Sequence, residues 1–236
     1  RGRGNLSLVS LRRGKLLLGP IRSEVVLNAG MIRFRPIEMT LHNGRASGGL
    51  LLKTARSPLS VDLQAELDNV DLNQLLSAHT SYHDKVYGRL SGSLRVQAHA
   101  SEKGFVRSSR GQAQVEVTEG RLTGISLNRE LALLSEAIGL RIEREDTPIE
   151  QMSASVRIAE GWVTTRDLIV QTPDFLLTGT GGFSFEEVIQ LDAMAALLPE
   201  AVLQTAKQGV LGLQDRVALE FTDPVAVVGL VVDEPL

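Results

Sequence analysis

The stretch that decides the fold is Val25-Val26-Leu27-Asn28-Ala29-Gly30-Met31-Ile32-Arg33-Phe34. One alternating run reaches a small residue and a glycine, and a second alternating run leaves. The unit returns as Val115-Glu116-Val117-Thr118-Glu119-Gly120-Arg121-Leu122 and as Val156-Arg157-Ile158-Ala159-Glu160-Gly161-Trp162-Val163. A looser copy surrounds His42-Asn43-Gly44. Alternation by twos gives a strand two chemically different faces, and glycine supplies the positive φ that a tight reversal needs. The pattern therefore predicts hairpin after hairpin of one extended antiparallel sheet. A long sheet with one apolar face must cover that face with something, and few candidates exist.

Outward from this unit, the amino third reads as strands at Leu6 to Leu11, Lys15 to Leu18, Ile21 to Leu27, Met31 to Phe34, Ile37 to Leu41 and Ala46 to Lys53. Turn signals at Arg13-Gly14, Gly19-Pro20, Ala29-Gly30, Pro36 and Asn43-Gly44 separate them. Ser60 to Leu67 alternates cleanly, and then Leu72, Leu75 and Leu76 fall on one helical face behind an Asp cap. A polar loop, His79 to Lys85, follows. Strands are expected at Gly88 to Ala100 and Gln112 to Val117. Leu127, Leu131, Leu134 and Ile138 form a helical stripe ending at Gly139. A charged loop, Arg141 to Pro148, leads to strands at Ser153 to Ile158, Trp162 to Val170, Phe175 to Phe185 and Ile189 to Leu197. A short helix from Pro199 to Gln208 and strands at Val217 to Phe221 and Val225 to Val232 close the chain.

The fold class is mainly β with a few short helices. The domain reading is a single β-rich unit over 1–236, with any sub-boundary near 101–111. An extended, curved antiparallel sheet forming a groove or half-pipe fits this order, and so does a closed β-sandwich. Leu50-Leu51-Leu52 and Leu168-Ile169-Val170 are apolar on both faces, which predicts cover on two sides there.

Composition removes several classes of function. Aromatics make up 4% of the 236 residues, so the core is aliphatic and offers little for an aromatic ligand cage. The net charge of −3 lacks the basic footprint of a nucleic-acid binder. One basic cluster, Arg1, Arg3, Arg12, Arg13 and Lys15, reads as a solvated edge, with proximity to an anionic membrane as the sharper alternative. With no cysteine there is no disulfide, thiolate nucleophile or zinc-thiolate site. The longest apolar run, Leu191 to Leu198, is far short of the roughly 18–20 residues that span a bilayer. The chain starts at Arg1 with no signal-peptide pattern, which reads as a segment of a longer polypeptide.

Catalytic chemistry is sought and not found. His79 and His83 have a zinc-compatible spacing but sit in a polar stretch without a third ligand. Gly179-Thr180-Gly181-Gly182 is followed by an alternating strand rather than a helix, so it reads as a close approach of strands, not a phosphate cradle. Glu143, Glu145, Asp146 and Glu150 alternate with arginines as a solvated loop. There is no Gly-x-Ser-x-Gly elbow, and Trp162 reads as packing beside a turn. The expectation is a non-enzymatic protein with no cofactor and no metal site.

Four stretches in order carry a family resemblance. They are Val115 to Gly139 (VEVTEGRLTGISLNRELALLSEAIG), Thr147 to Phe185, Leu67 to Leu76 (LDNVDLNQLL) and Val217 to Gly229 (VALEFTDPVAVVG). Together they resemble the AsmA-like carboxy-terminal domain over most of Leu50 to Gly229. The resemblance implies a periplasmic body, anchored in the inner membrane by an upstream helix, with a role in outer-membrane biogenesis. The wider superfamily is similar to bridge-like lipid carriers, whose curved sheet forms a trough for acyl chains. The expected partner is then phospholipid or another acyl lipid, with no nucleic acid. The expected lining is Ile32, Phe34, Leu50, Leu52, Val61, Leu63, Val115, Val117, Val156, Ile158, Leu168, Val170, Leu177 and Phe183. A slip of one residue inverts the two faces of a strand, so register decides which residues line the trough. The competing expectation is a structural or assembly module of the cell envelope, acting through contacts with envelope assembly proteins.

Overall fold

The computed structural model describes residues 1–13, 16–55, 57–79, 84–102, 104–123, 146–173, 175–185, 188–197 and 227–235. The described strands are β1 (Gly2–Leu8), β2 (Leu11–Arg13), β3 (Leu16–Asn28), β4 (Met31–Leu41), β5 (Gly44–Lys53), β6 (Ser60–Asp71), β7 (Val86–His99), β8 (Arg110–Thr123), β9 (Asp146–Ala159), β10 (Trp162–Gln171), β11 (Phe175–Ser184), β12 (Val188–Leu197) and β13 (Val227–Pro235). Two short helices, α1 (Leu72–His79) and α2 (Gly104–Ser108), lie in the connections. All pairings are antiparallel, and the strands form one open sheet. From β3 onward every strand neighbours the next in sequence, and β1 and β2 both pair with β3. Tight turns fix this order between β3 and β4, β4 and β5, and β9 and β10, while longer connections, two of them carrying α1 and α2, also return to the neighbouring strand. The closed-sandwich alternative is set aside by this single layer.

The turns bear out two of the repeated units and correct a third. Ala29-Gly30 and Glu160-Gly161 are left-handed hairpin turns, and His42-Asn43 is another. Glu119-Gly120 is not a turn. Strand β8 runs straight through it, Glu119 takes φ 51°, and the register against β7 shifts between Tyr87 and Arg89. The same glycine chemistry that closes a hairpin also permits a bulge, and only the partner strand distinguishes the two.

Two other expected breaks are also bulges. Gly19-Pro20 lies inside β3 and Pro36 inside β4, each at a register shift. A proline lacks an N–H to give the ladder, and a bulge is where the ladder has a residue to spare. The bulges in β4 (Arg35-Pro36) and β10 (Arg166-Asp167) stand at the same offset from their turn glycines, Gly30 and Gly161. The expected charged loop to Pro148 ends early, because β9 starts at Asp146 and buries Thr147. Segment 101–111 covers most of the β7–β8 connection and the first two residues of β8, and the sheet continues across it. The helical stripe from Leu127 to Ile138, the helix at 199–208 and the strand at 217–221 lie outside the described residues.

Helix α1 starts where the alternation stops. The Asp71 carboxylate accepts from the Gln74 backbone N–H at 3.0 Å and from the Gln74 side-chain amide at 3.1 Å, so one residue supplies both donors of the cap. Leu72 is buried, and Leu75 and Leu76 pack on Leu41, Ala46, Val70, Leu90 and Val117. The helix therefore lies over one end of the strands and covers the apolar face there. The cover expected on both faces of Leu168-Ile169-Val170 is absent: Val170 is buried, but Ile169 is 44% exposed on the opposite face.

Candidate functional site

Register sorts the side chains into two faces. Paired residues on neighbouring antiparallel strands point the same way. One unbroken chain of pairs runs Val25, Phe34, Leu50, Leu63, Val96, Gly111, Ile158, Val163 and Phe183, from β3 to β11. A second runs Val70, Leu90, Val117, Met152, Val170 and Leu177. Ile32, Leu52 and Val61 form a third. Val115, Val156 and Leu168 sit on the same face between them. The structure thus brings all fourteen expected lining residues onto one face. The bulges are what keep them there, because each restores the alternation that a proline or an extra residue would invert.

That face is not uniform. Toward α1 it is sealed: Val117 is 1% exposed, and Val70, Leu90, Val170 and Leu177 are buried as well. Val117, Val170 and Leu177 accordingly belong to the hydrophobic core. Val115 packs against that core from its margin. Away from α1 the face opens. Ile32, Phe34, Leu50, Leu52, Val61, Leu63, Val156, Ile158 and Leu168 are half-buried, and Phe183 is 49% exposed. Spanning eight strand spacings, the Val25-to-Phe183 row is about 38 Å long. It exceeds the roughly 30 Å hydrocarbon thickness of a bilayer, which is two acyl tails end to end.

The opposite face is polar and carries two adjoining clefts of about 1480 and 1110 Å³. Both lie behind the apolar rows rather than in them. The larger is bounded by the two equivalent bulges, with Arg35 at one side and Arg166 and Asp167 at the other. Within it the Asp167 carboxylate accepts from the Ser155 backbone N–H at 2.8 Å and from the Thr165 hydroxyl at 3.0 Å. Bonding to Ser155, through its side chain and then its backbone, and after that to Thr165 holds Asp167 below its ordinary value of 3.8. The polar cleft was missed in the sequence, although the shared offset of Arg35 and Arg166 from their turn glycines marks both of its walls.

Among the described residues, no group of three His, Asp or Glu side chains could hold a metal ion. His79 is described only as the end of α1, and His83 lies outside the described residues. Gly179 and Gly182 act within a strand: a β carbon at Gly179 would meet the Asp192 carbonyl oxygen at 2.9 Å, and one at Gly182 would collide with that of Val163. Trp162 borders the polar cleft. No helix among the described residues is long and apolar enough to cross a membrane.

Protein AsmA of Escherichia coli (strain K12) is 24% identical over 168 residues, covering 68% of this chain and 27% of that protein. The chain thus spans about a quarter of the length of the curated relative it matches. No solved structure matches it. The profile of the AsmA family matches residues 7–168, well over half of the sequence, and the chain belongs to the AsmA family.

Proposed function

We propose that this chain is a non-enzymatic lipid-binding and lipid-transfer module of the periplasm, holding acyl chains along the open part of its apolar face. Membership of the AsmA family points to an envelope-associated protein. The observation that carries the finer reading is the Phe34–Leu50–Leu63–Val96 row and its continuation through Ile158 to Phe183. Along β4, β6 and β8 the apolar side chains of this face alternate with mostly polar ones on the other, so one side is greasy and the other wets. Aliphatic side chains without polar anchors hold tails by desolvation alone, at about 0.8 kcal/mol per CH₂. A sixteen-carbon chain gains roughly 10 kcal/mol before the cost of association. Such a surface is indifferent to the position of the tail along it, which is the property a conduit needs.

The reading supports outer-membrane biogenesis as the process served and phospholipid as the cargo, with anchorage to the inner membrane outside this chain. Its test is native mass spectrometry of protein purified without detergent. Bound phospholipid is expected in the parent and absent from Leu63→Asp and Ile158→Asp variants of unchanged circular dichroism. A parent that carries no lipid, or variants that carry as much as the parent, would count decisively against it.

A further inference from the structure

The polar face has a chemistry of its own, independent of the lipid reading. We propose that its larger cleft binds an uncharged polyhydroxylated chain, a glycan, laid across the strands from β4 to β10. The shape calls for an elongated ligand: from Arg35 to Asp167 the lining crosses six strand spacings, about 29 Å.

Charge narrows the class. Arg35, Arg95, Arg157 and Arg166 line the cleft, and Glu38, Glu66, Glu160 and Asp167 line it with them. Four positive groups against four negative ones leave no net charge. A nucleic acid or other polyanion requires a surplus of cations, and a polycation the reverse. A neutral polymer meets neither penalty.

The groups between the charges fit sugar hydroxyls. Gln64, Arg95, Gln112, Arg157 and Thr164 form one cross-strand row, and Gln114 and Ser155 pair in the next. Amide and hydroxyl side chains both donate and accept, as each sugar hydroxyl does. Among the described residues no hydrogen bond engages the side chains of Gln64, Gln112 or Gln114, so their donors and acceptors stand ready for a ligand. At the β10 end Trp162 lends an aromatic surface and an indole N–H beside the row, a pairing suited to the apolar face and polar rim of a sugar ring.

An extended peptide fits less well. Peptides that join sheets do so at an edge, through free backbone groups. Strands β4 to β10 are paired on both sides, so the floor of the cleft has no such edge.

Trp162 is the sole tryptophan of the chain and reports on the cleft directly. Maltoheptaose and the hexamer of N-acetylglucosamine would be titrated separately against the purified protein while its emission is followed. A saturable change with either is expected, with affinity about tenfold weaker in Gln112→Ala/Gln114→Ala at unchanged melting temperature. A second readout, isothermal titration of the parent and of Trp162→Phe, detects binding without the fluorophore and is expected to show weaker binding for Trp162→Phe. Two results overturn the proposal: no binding of either sugar at millimolar concentration by emission or by heat, or equal binding by the glutamine variant.

Discussion

The carbonyl oxygen of Gln64 in β6 occupies the space where a β carbon on Gly48 of β5 would lie. Strands β5 and β6 reach this separation because residue 48 has no side chain. Gly92 of β7 stands in the same relation to Gln114 of β8. Both glycines sit on the apolar face, where they draw neighbouring strands together beneath the rows of larger side chains.

Gly48→Ala is therefore expected to cost about 1–3 kcal/mol, since the obstructing atom is backbone and the strand must shift to clear it. Thermal unfolding reads the loss as a drop of roughly 2–4 °C per kcal/mol for a chain of this size. An unchanged melting temperature would show that β5 and β6 separate freely.

The two parts of the apolar face should respond differently to mutation. Leu90 is buried under α1, so Leu90→Ala is expected to destabilise by about 3 kcal/mol through transfer and cavity terms. Leu63 is half-buried on the open part, and Leu63→Asp should leave the unfolding midpoint nearly in place while abolishing lipid capture. Paired denaturation and lipid-binding measurements on both variants check this division.

The cap of α1 can be tested alone. Asp71→Ala removes both bonds to Gln74 and should cost about 1 kcal/mol. Because α1 covers Val70, Leu90 and Val117, the same change should speed hydrogen exchange at those amides more than along β10.

A pH dependence follows from Asp167, whose pKa lies below its ordinary 3.8 through bonds from Ser155 and Thr165. A depressed folded value means the stabilisation is complete above the unfolded value and fades as pH falls through the folded one. The stability difference between the parent and Asp167→Asn should be largest at neutral pH and shrink below about pH 4. Urea melts across that range measure it.

Much of the strand order is legible in the residues themselves. Val156 to Val163 and Val25 to Phe34 state their own hairpins, because alternation and a left-handed turn are both local properties. The cap at Asp71 is local too, since donor and acceptor lie within one turn of helix. Glu119-Gly120 reads identically to Glu160-Gly161 yet ends as a bulge. The difference lies in β7 and β9, which pair with β8 on both sides of Glu119 and carry the strand through it.

Sequence by itself determined that this chain is a meandering sheet with one apolar side, because side-chain period and turn chemistry act between near neighbours. The tertiary structure decided which apolar residues stay open and which are sealed. Leu63 and Leu90 look alike in the sequence, but the path of α1 places Leu75 and Leu76 over the cluster that holds Leu90 and leaves Leu63 half-open. It also decided that the polar backs of β4 and β10 wall a common cleft. Those strands lie far apart in sequence, and only the coiling of the paired strands between them brings Arg35 and Asp167 to one concavity.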